Sequence, residues 1–412
     1  MTGVVASRVS QERLWDRHMI MAHFGATASG GVNRQALSPE DAAAQRQLIE
    51  WGMALGLSAS ADAAGNLFLR LAGTEAAPSV MTGSHMDSQP TGGKFDGIYG
   101  VLAGLEAVQA LIEAGIRPRR PIEIVAWMNE EGSRFAPGMM GSEVFAGVKP
   151  LEEILAVRDQ DGVSVAEALA TTRTALPQLP ERPIGAPIAA YLEAHIEQGP
   201  VLERHNKIIG VVSGIQGKRT FRVEVSGEDA HAGTTALRDR KDALLAATSM
   251  VQQLHAFCAS AGEHVMFTVG RFTVEPNAPS VIASKVVFSI DLRHPEQPTL
   301  QRLGDSIATL CDSVRGPCAT NVTELVNAPS LEFPIIVRDR IRHIANELGL
   351  PVLDIPSLAG HDARHLHYIA LTGMIFVPCR SGISHNEAEW AEPVHLAQGA
   401  QVLAEVLAEL AA

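Results

Sequence analysis

The feature that most constrains the fold of this 412-residue chain is the spread of its metal-type side chains over five short, distant segments. Each segment carries a histidine or an acidic residue. Imidazole and carboxylate suit zinc, and also manganese, cobalt and nickel. A fold that uses all five segments must bring position 85 close to position 385. The segments are 83–88 (GSHMDS), 92–97 (GGKFDG), 129–135 (NEEGSRF), 195–200 (HIEQGP) and 384–387 (SHNE).

The first two segments combine one histidine with two carboxylates. His85 follows a predicted strand, and Asp87 lies two residues on, on the same face of an extended chain. We expect the Asp87 carboxylate to accept the second ring N–H of His85 and so to fix its tautomer. Asp96 lies in a glycine-dense loop, where the backbone can approach an ion closely. Its two oxygens could bridge two metal ions about 3.5–4 Å apart.

The other three segments supply two further histidines and a pair of acids. Glu130 and Glu131 are adjacent at a predicted strand end, where they repel each other unless a positive charge lies nearby. One of them could bind a metal ion while the other accepts a proton from water. His195 and His385 each follow an apolar stretch, and either one alone could equally be a buried core histidine. All five segments together favour a metal site.

Composition excludes several classes of partner. The formal net charge is −13, whereas nucleic-acid binding needs a basic surface. A small anionic ligand stays compatible with this charge, because one local arginine can hold it. No apolar stretch approaches about 18 residues, so no membrane span is predicted. The four cysteines form no CxxC pair, and no signal-like N-terminal stretch is seen, which predicts reduced thiols in a cytoplasmic protein.

The first half of the chain has a β-α-β pattern. The predicted elements are a helix at 39–55, a strand at 79–82, a helix at 100–114 and a strand at 122–128. The two strands lead directly into His85 and Glu130. Open α/β sheets bind their ligands at this edge, beyond the carboxyl ends of the strands.

A different pattern begins near residue 213. Strands are predicted at 220–225, 265–274, 285–292 and 322–326, with helices at 241–259 and 300–314. This β-α-β-β-α-β order predicts a ferredoxin-like domain. Since candidate ligands lie on both sides of it, the domain is predicted to be inserted. We therefore predict a metal-binding catalytic domain of residues 1–213 and 329–412, and an inserted domain of residues 214–328.

Seven motifs resemble the hydantoinase/carbamoylase branch of the M20 metallopeptidase family, and the resemblance runs from about residue 13 to about residue 408. It implies an α/β fold: a mixed-sheet, zinc-peptidase-like catalytic domain with an inserted α+β dimerisation or lid domain. The branch contains N-carbamoyl-L-amino-acid hydrolases, β-ureidopropionases, allantoate amidohydrolases and ureidoglycolate amidohydrolases. The motifs are GSHMDSQPTGGKFDG, NEEGSRF, HIEQGPVLE, HAGTT, EPNAPSVI, AGHDA and GISHNE.

The resemblance also implies a role for each matching residue at the metal site. Two divalent metal ions are implied, zinc before manganese, cobalt or nickel. Asp96 would bridge them, His85 and His195 would complete the shell of one, and Glu131 and His385 that of the other. Glu130 would be the general base and later the proton donor, and Asp87 would orient His85.

A second group of residues is implied in substrate binding. Arg293 would hold the substrate carboxylate, with Asn277 and Gln198 nearby, and a planar guanidinium suits that task. His231 would stabilise the oxyanion in the partner subunit's site, which implies a homodimer. His361 would also contact the substrate. Because several of these residues lie in the inserted domain, the two domains are expected to close around the substrate.

The chain departs from the branch pattern at three places, and two of them, Leu358 and 89–91, lie close to pocket segments and leave the substrate open. The three places are Leu358 where glycine is usual, Glu143 where a small residue is common, and 89–91 (QPT) in place of Val-Pro-Asn. The leading hypothesis is a hydrolase that converts an N-carbamoyl (ureido) amino acid to the free amino acid, ammonia and carbon dioxide. The alternatives are an aminoacylase, desuccinylase or peptidase acting on another N-acyl group, and a catalytically silent ligand-binding protein on the same fold.

Overall fold

A computed structural model describes residues 3–412 of the chain. The contacts within it divide these residues into two compact units, 3–213 with 333–412, and Gly214–Glu332. The second unit ends four residues beyond position 328, the boundary expected from the sequence. The reason is local, since the short strand Leu331–Glu332 pairs with Ile215 and Gly214 at the start of the same unit.

The first unit contains both helices and strands. Its helices are α1 (Gln11–Ala22), α2 (Pro39–Ala54), α3 (Ile98–Glu113), α4 (Met140–Phe145), α5 (Leu151–Leu155), α6 (Val165–Ala175), α7 (Val201–Arg204), α10 (Ile335–Glu347), α11 (Ala363–Leu366) and α12 (Pro393–Leu410), with 3₁₀ turns at Ala6–Arg8 and Arg380–Gly382. Its strands are β1 (Ser58–Asp62), β2 (Leu67–Leu71), β3 (Ser79–His85), β4 (Ile122–Trp127), β5 (Glu181–Arg182), β6 (Ile188–Ile196), β7 (Ile209–Ile215), β16 (Val352–Ser357) and β17 (Leu371–Val377).

One mixed sheet organises this unit. Within this unit its strand order is β5-β1-β2-β4-β3-β6-β17-β7, with β16 also paired to β7. The last two residues of β7, Gly214 and Ile215, belong to the second unit and pair with Leu331–Glu332. The central four strands, β4, β3, β6 and β17, are mutually parallel, so their carboxyl ends meet at one edge. These strands are almost entirely buried, as expected for parallel strands covered on both faces.

Helix α3 fixes the position of the loop that carries Asp96. It starts at Ile98, directly after the 92–97 loop, and packs against β3 on one side and against α12 and α1 on the other. An apolar helix of this kind is stable only when it is buried on most of its surface. The start of α3 is therefore held against the end of the parallel strands.

The second unit is an antiparallel sheet with helices on one face. It contains β8 (Gly217–Ser226), β9 (Ala230–His231), a 3₁₀ turn (Leu237–Asp239), α8 (Ala243–Ala259), β10 (Met266–Thr268), β11 (Phe272–Glu275), β12 (Val281–Ile282), β13 (Lys285–His294), α9 (Gln297–Ser313), β14 (Ala319–Ala328) and β15 (Leu331–Glu332). The sheet order is β10-β13-β8-β14, with β11 also on β13. Alternate residues of β8 and β13 are buried against α8 and α9, so the other face of each strand is partly exposed.

Most predicted elements match the observed ends to within three residues, but the strand predicted at 265–274 is two strands. Thr268 pairs with Asp291 and Phe272 pairs with Phe288, so four steps along one strand oppose three on the other. One extra residue is therefore accommodated around Gly270, as in a β-bulge. Alternating hydrophobicity does not report such an insertion. No helix within residues 3–412 is long and apolar enough to cross a bilayer.

Candidate metal centre

The predicted ligand segments meet at the edge where the parallel strands of the first unit end. His85 is the last residue of β3, and His195 is the second-last residue of β6. Glu130 follows β4, and His385 lies on the loop that follows β17. Parallel strands explain this meeting, because polar residues placed at their carboxyl ends share one edge of the sheet.

Two groups of metal-type atoms share Asp96. His85, Asp96 and His195 form one group, and Asp96, Glu131 and His385 form the other, with the ligand atoms of each group within 4.8 Å of one another. The Nε2 atoms of His195 and His385 lie 3.2 Å from Oδ1 and from Oδ2 of Asp96, respectively. Each oxygen of one carboxylate therefore faces a different group, which is the arrangement a bridging ligand of two metal ions needs.

The two buried histidines are oriented by backbone carbonyls. His85 Nδ1 donates to the backbone oxygen of Asp87 at 2.9 Å, and His195 Nδ1 donates to that of Ile196 at 2.8 Å. With the proton on Nδ1, the Nε2 atom of each ring carries the lone pair that a metal ion requires. Both Nε2 atoms face Asp96.

Asp87 differs in detail from the sequence expectation. Its backbone oxygen, rather than its carboxylate, accepts the His85 N–H, and the nearest carboxylate oxygen is 3.7 Å from Nδ1. The buried carboxylate instead accepts the backbone N–H groups of Glu130 and Glu131, each at 3.2 Å. Asp87 thus connects the His85 loop to the two adjacent acids, a contact that i, i+2 spacing does not reveal.

Glu130 lies against this cluster without belonging to either ligand group. Its Oε2 is 3.5 Å from His85 Nε2. Burial, and then the negative charges of Asp362 and Glu131, raise the pKa of Glu130 well above its usual value. Burial and the neighbouring Asp96 likewise raise the pKa of Glu131 to about 8.

The electrostatics of the cluster fit bound cations. Despite burial, hydrogen bonding to Asp96 raises the pKa of His195 to about 9. The same kind of bond, as the largest cause, raises the pKa of His385 to about 9. The crowded carboxylates of Glu130 and Glu131 favour protonation, and the imidazoles of His195 and His385 favour a positive charge. Both tendencies indicate that the site lacks positive charge. Divalent metal ions would supply that charge and keep the carboxylates ionised and the rings neutral.

Two glycines permit the close approach of the loop that carries Asp96. A Cβ on Gly97 would lie 2.2 Å from the His85 ring, and Gly97 has a φ of +66°. A Cβ on Gly93 would lie 2.1 Å from the Glu389 carboxylate. At Gly97 the space and the backbone angle both exclude a larger residue.

Glu389, a buried acid that contacts the Asp96 loop, was not predicted from the sequence. Its Oε1 accepts the backbone N–H groups of Phe95 and Asp96, at 2.9 and 3.1 Å, and its Oε2 accepts the Ser384 hydroxyl at 2.9 Å. Glu389 therefore joins the Asp96 loop to the loop of His385. Its only signal in the sequence is its place four residues after His385.

A second missed residue is Glu193, which is fully buried inside β6. Its carboxylate accepts the Ser84 hydroxyl at 2.7 Å and the Ala363 backbone N–H at 2.9 Å. Ser84 directly precedes His85, and Ala363 lies two residues after His361. An acid in an otherwise apolar strand is the signal that could have identified it, since a buried carboxylate needs such donors.

The predicted substrate residues of the first unit also lie near Asp96. Gln198 donates to Asp96 Oδ2 at 2.9 Å. The His361 ring is buried beside His195, with 4.6 Å between the ring centroids, and its Nε2 is 2.8 Å from Ser357 Oγ. Both side chains therefore border the ligand groups.

Several of these residues adopt backbone angles that only glycine favours. Asn129, Gln198, Asn277 and His385 all have φ between 52° and 57°. Such conformations in non-glycine residues persist where the surroundings hold them, and they concentrate at functional sites. Residue type alone did not predict them.

The remaining predicted residues lie in the second unit. His231 is exposed, and its Nδ1 accepts the Gly233 backbone N–H at 3.0 Å. In the neutral ring the proton is then on Nε2, which is free to donate. Strand β9, which ends at His231, pairs with β12, which follows the Asn277 loop. Arg293 contacts Asp291 through two nitrogens.

An open α/β sheet with two ligand groups around one carboxylate defines a candidate two-metal hydrolase centre. Residues 81–409 match the family model of Peptidase family M20/M25/M40. The N-carbamoyl-L-amino-acid amidohydrolase of Rhizobium meliloti is 38% identical over 410 residues, which cover 98% of this chain and 97% of that protein. The allantoate amidohydrolase of Bacillus subtilis (strain 168) is 34% identical over 397 residues, which cover 95% of each.

A solved structure gives the same result. The amidase of the hydantoinase/carbamoylase family from Burkholderia multivorans is 42% identical, with a TM-score of 0.89 and 98% of each chain covered. This chain belongs to Peptidase family M20/M25/M40, within which it resembles the hydantoinase/carbamoylase amidases. The family resemblance inferred from the sequence motifs is confirmed.

Gly97→Ala should weaken metal binding by about tenfold or more, because the new methyl group would displace the His85 ring. Isothermal titration calorimetry with the metal ion would measure the change in metal affinity. Gly115→Ala is the matched control at the other end of α3, since Gly115 also has a positive φ, +72°, but an added Cβ meets nothing within 4 Å. Equal metal affinity in both variants would contradict the collision argument.

Asp87→Asn should lower metal affinity or kcat/KM by about 10- to 100-fold, because an amide replaces one of the two acceptor oxygens with a donor that faces a backbone N–H. Asp62→Asn is the control, since the buried Asp62 accepts the backbone N–H groups of Ala64 and Asn66, both at 3.0 Å, outside the ligand groups. We expect it to change thermal stability alone. A similar loss of metal affinity in both variants would count against a specific role for Asp87.

Proposed function

We propose that this chain is a metal-dependent amidohydrolase that converts an N-carbamoyl amino acid to the free amino acid. One water is consumed as one carbon–nitrogen bond of the ureido group is hydrolysed. The carbamic acid that remains then breaks its own carbon–nitrogen bond as it loses carbon dioxide, so that the free amino acid, ammonia and carbon dioxide are the products. The observation that carries the proposal is the shared Asp96 carboxylate, with one ligand group on each of its oxygens. The choice of an N-carbamoyl substrate is supported by the 38% identical relative that bears this activity in its name.

Two divalent metal ions would be held by the two groups. His85, Asp96 and His195 would hold one ion, and Asp96, Glu131 and His385 the other. Zinc is our first choice for these nitrogen and oxygen ligands, followed by manganese, cobalt and nickel. Bound there, the ions would polarise the carbonyl group and lower the pKa of water.

Glu130 is proposed as the general base and proton donor. It lies 3.5 Å from His85 Nε2, is almost buried, and belongs to neither ligand group. A carboxylate in this place can accept a proton from the attacking water. It can then return the proton to the leaving nitrogen, which departs as a neutral amine.

His231 is proposed to stabilise the oxyanion of the reaction. The Gly233 N–H occupies its Nδ1, so a neutral ring presents an Nε2–H donor. A donor already in the correct tautomer loses no free energy to rearrangement as negative charge develops on the oxygen. Arg293 is proposed to bind the substrate carboxylate, with Asn277, Gln198 and His361 as further substrate contacts.

We also propose that residues 214–328 form a ferredoxin-like dimerisation and lid domain, inserted into a catalytic domain of residues 1–213 and 329–412. The order of strands and helices in the second unit supports this. Exposed apolar side chains such as Leu237 and Leu245 support an association surface for a homodimer. A cytoplasmic location is supported by four cysteines that are all free and buried.

Allantoate is a second candidate substrate, favoured by the 34% identical allantoate amidohydrolase. The deciding experiment measures ammonia release by the metal-loaded enzyme from N-carbamoyl-L-amino acids, N-carbamoyl-β-alanine, allantoate and ureidoglycolate. N-acetyl and N-succinyl amino acids are followed by release of the amine. Ammonia from an N-carbamoyl amino acid, lost with a chelator and restored by metal, is the expected result. Amine from an acyl substrate alone would overturn the proposal.

Glu130→Gln and Glu130→Ala should lower kcat by about 10²- to 10⁴-fold while both metal ions stay bound, because Glu130 moves a proton and is not a ligand. Elemental analysis after gel filtration would give the metal content beside the kinetics. Glu131→Gln is the contrast, since it removes a ligand and should leave about one ion per chain. Substantial turnover by Glu130→Ala would remove its proposed role.

His231→Ala should lower kcat by about 10²- to 10³-fold with unchanged metal content, because a donor to the oxyanion is lost. His264→Ala, which changes another exposed histidine of the second unit, should leave kcat unchanged. An equal effect of the two substitutions would show that His231 acts only through the stability of the unit.

A further inference from the structure

Three charged side chains form a compact group on the partly exposed face of the second unit's sheet. Asp291 and Arg293 are two residues apart on β13, and Lys218 is paired with Arg293 across to β8. Asp291 lies 2.8 Å from Arg293 Nε, 3.2 Å from Arg293 Nη2 and 3.4 Å from Lys218 Nζ. One acid therefore contacts two basic residues.

The contact with Asp291 uses only one edge of the Arg293 guanidinium. Nε and one hydrogen of Nη2 donate to Asp291. The second hydrogen of Nη2 and the adjacent hydrogen of Nη1 form the edge that binds a carboxylate through two parallel hydrogen bonds. Asp291 therefore holds the planar group in one orientation without using that edge.

The charge of the group suits one further anion. Lys218 and Arg293 contribute two positive charges and Asp291 one negative charge, so a single positive charge remains. The side chains are 40%, 34% and 33% exposed for Lys218, Arg293 and Asp291, respectively, so each is accessible to a small ligand within this unit. One carboxylate would make the group neutral.

A second group on the same face provides a comparison. Glu224 lies 3.1 Å from Lys285 and 3.5 Å from Arg222. Arg222 makes only this one long contact and is 56% exposed, so its guanidinium is not fixed in orientation. Arg293, by contrast, is held at two nitrogens.

We propose that Lys218, Asp291 and Arg293 together form the carboxylate-binding part of the substrate site. Asp291 is a positioning residue for Arg293, and Lys218 is a second cation that determines the preference for an acid. The inference rests on the proposed function, in which Arg293 binds the substrate carboxylate. The ligand class is an N-carbamoyl amino acid with a free carboxylate.

The test compares an N-carbamoyl-L-amino acid that the wild type hydrolyses with the corresponding carboxamide, which lacks the negative charge. The quantity measured is the ratio of kcat/KM for the acid to kcat/KM for the carboxamide. The variants are Lys218→Gln and Asp291→Asn. Lys285→Gln is the matched control, because it removes an ion-paired lysine from the same face of the same sheet. Lys218→Arg keeps the charge.

We expect Lys218→Gln and Asp291→Asn each to lower this ratio by about tenfold, mainly through a higher KM for the acid, as for the loss of one charge-assisted contact. The carboxamide should lose less kcat/KM than the acid, Lys285→Gln should keep the wild-type ratio, and Lys218→Arg should recover more of the ratio than Lys218→Gln. A variant that slows acid and carboxamide equally would overturn the inference, since that pattern marks a structural effect.

The two proposals fail in different ways. A wild-type enzyme that releases no ammonia from any ureido acid would overturn the proposed function, and the carboxylate inference with it. An active wild type whose ratio is unchanged in Lys218→Gln and in Asp291→Asn would overturn only the inference about this group.

Discussion

The arrangement of the metal-type side chains in the first unit depends on one carboxylate. Asp96 lies within 4 Å of three imidazoles from three different parts of the chain, His85, His195 and His385. Since the carboxylate is buried, its charge is costly unless positive partners surround it. The parallel strands, the glycines of the Asp96 loop and the start of α3 all serve to bring these groups together. A metal pair would replace repulsion and shared protons by coordination.

A second layer of buried acids keeps this arrangement in place. Asp87, Glu193 and Glu389 each accept hydrogen bonds from a different part of the chain, and each joins two segments that are distant in sequence. These acids contact backbone N–H and hydroxyl groups, so their burial is compensated by hydrogen bonds. Metal ligands that are held by such buried hydrogen-bonded acids keep their geometry while substrate binds and product leaves.

The sequence predicted which residues lie at the edge of the sheet. An apolar run that leads into His85 or Glu130 is most simply interpreted as a buried strand with a polar end. The strands of the second unit could also be predicted, because buried and exposed residues alternate along β8 and β13. Contacts between a side chain and backbone groups that are distant in the sequence could not be predicted. The Asp87 carboxylate binds the Glu130 and Glu131 N–H groups, and Glu389 supports Asp96, but neither contact has a local pattern. The extra residue near Gly270 was not predicted either, because it shows only in the pairing of β10 and β11 with β13.

The division of residues between the two units separates two properties of the proposed enzyme. Every atom of the two ligand groups belongs to the first unit, whereas His231, Asn277 and Arg293 belong to the second. In the proposed enzyme, metal affinity would be a property of the sheet edge, and substrate selection would depend largely on a sheet with its own core. Changes around Arg293 would then alter which acid is accepted without disturbing Asp96. This division would explain how motifs can identify the reaction and still leave the amino acid side chain of the substrate open.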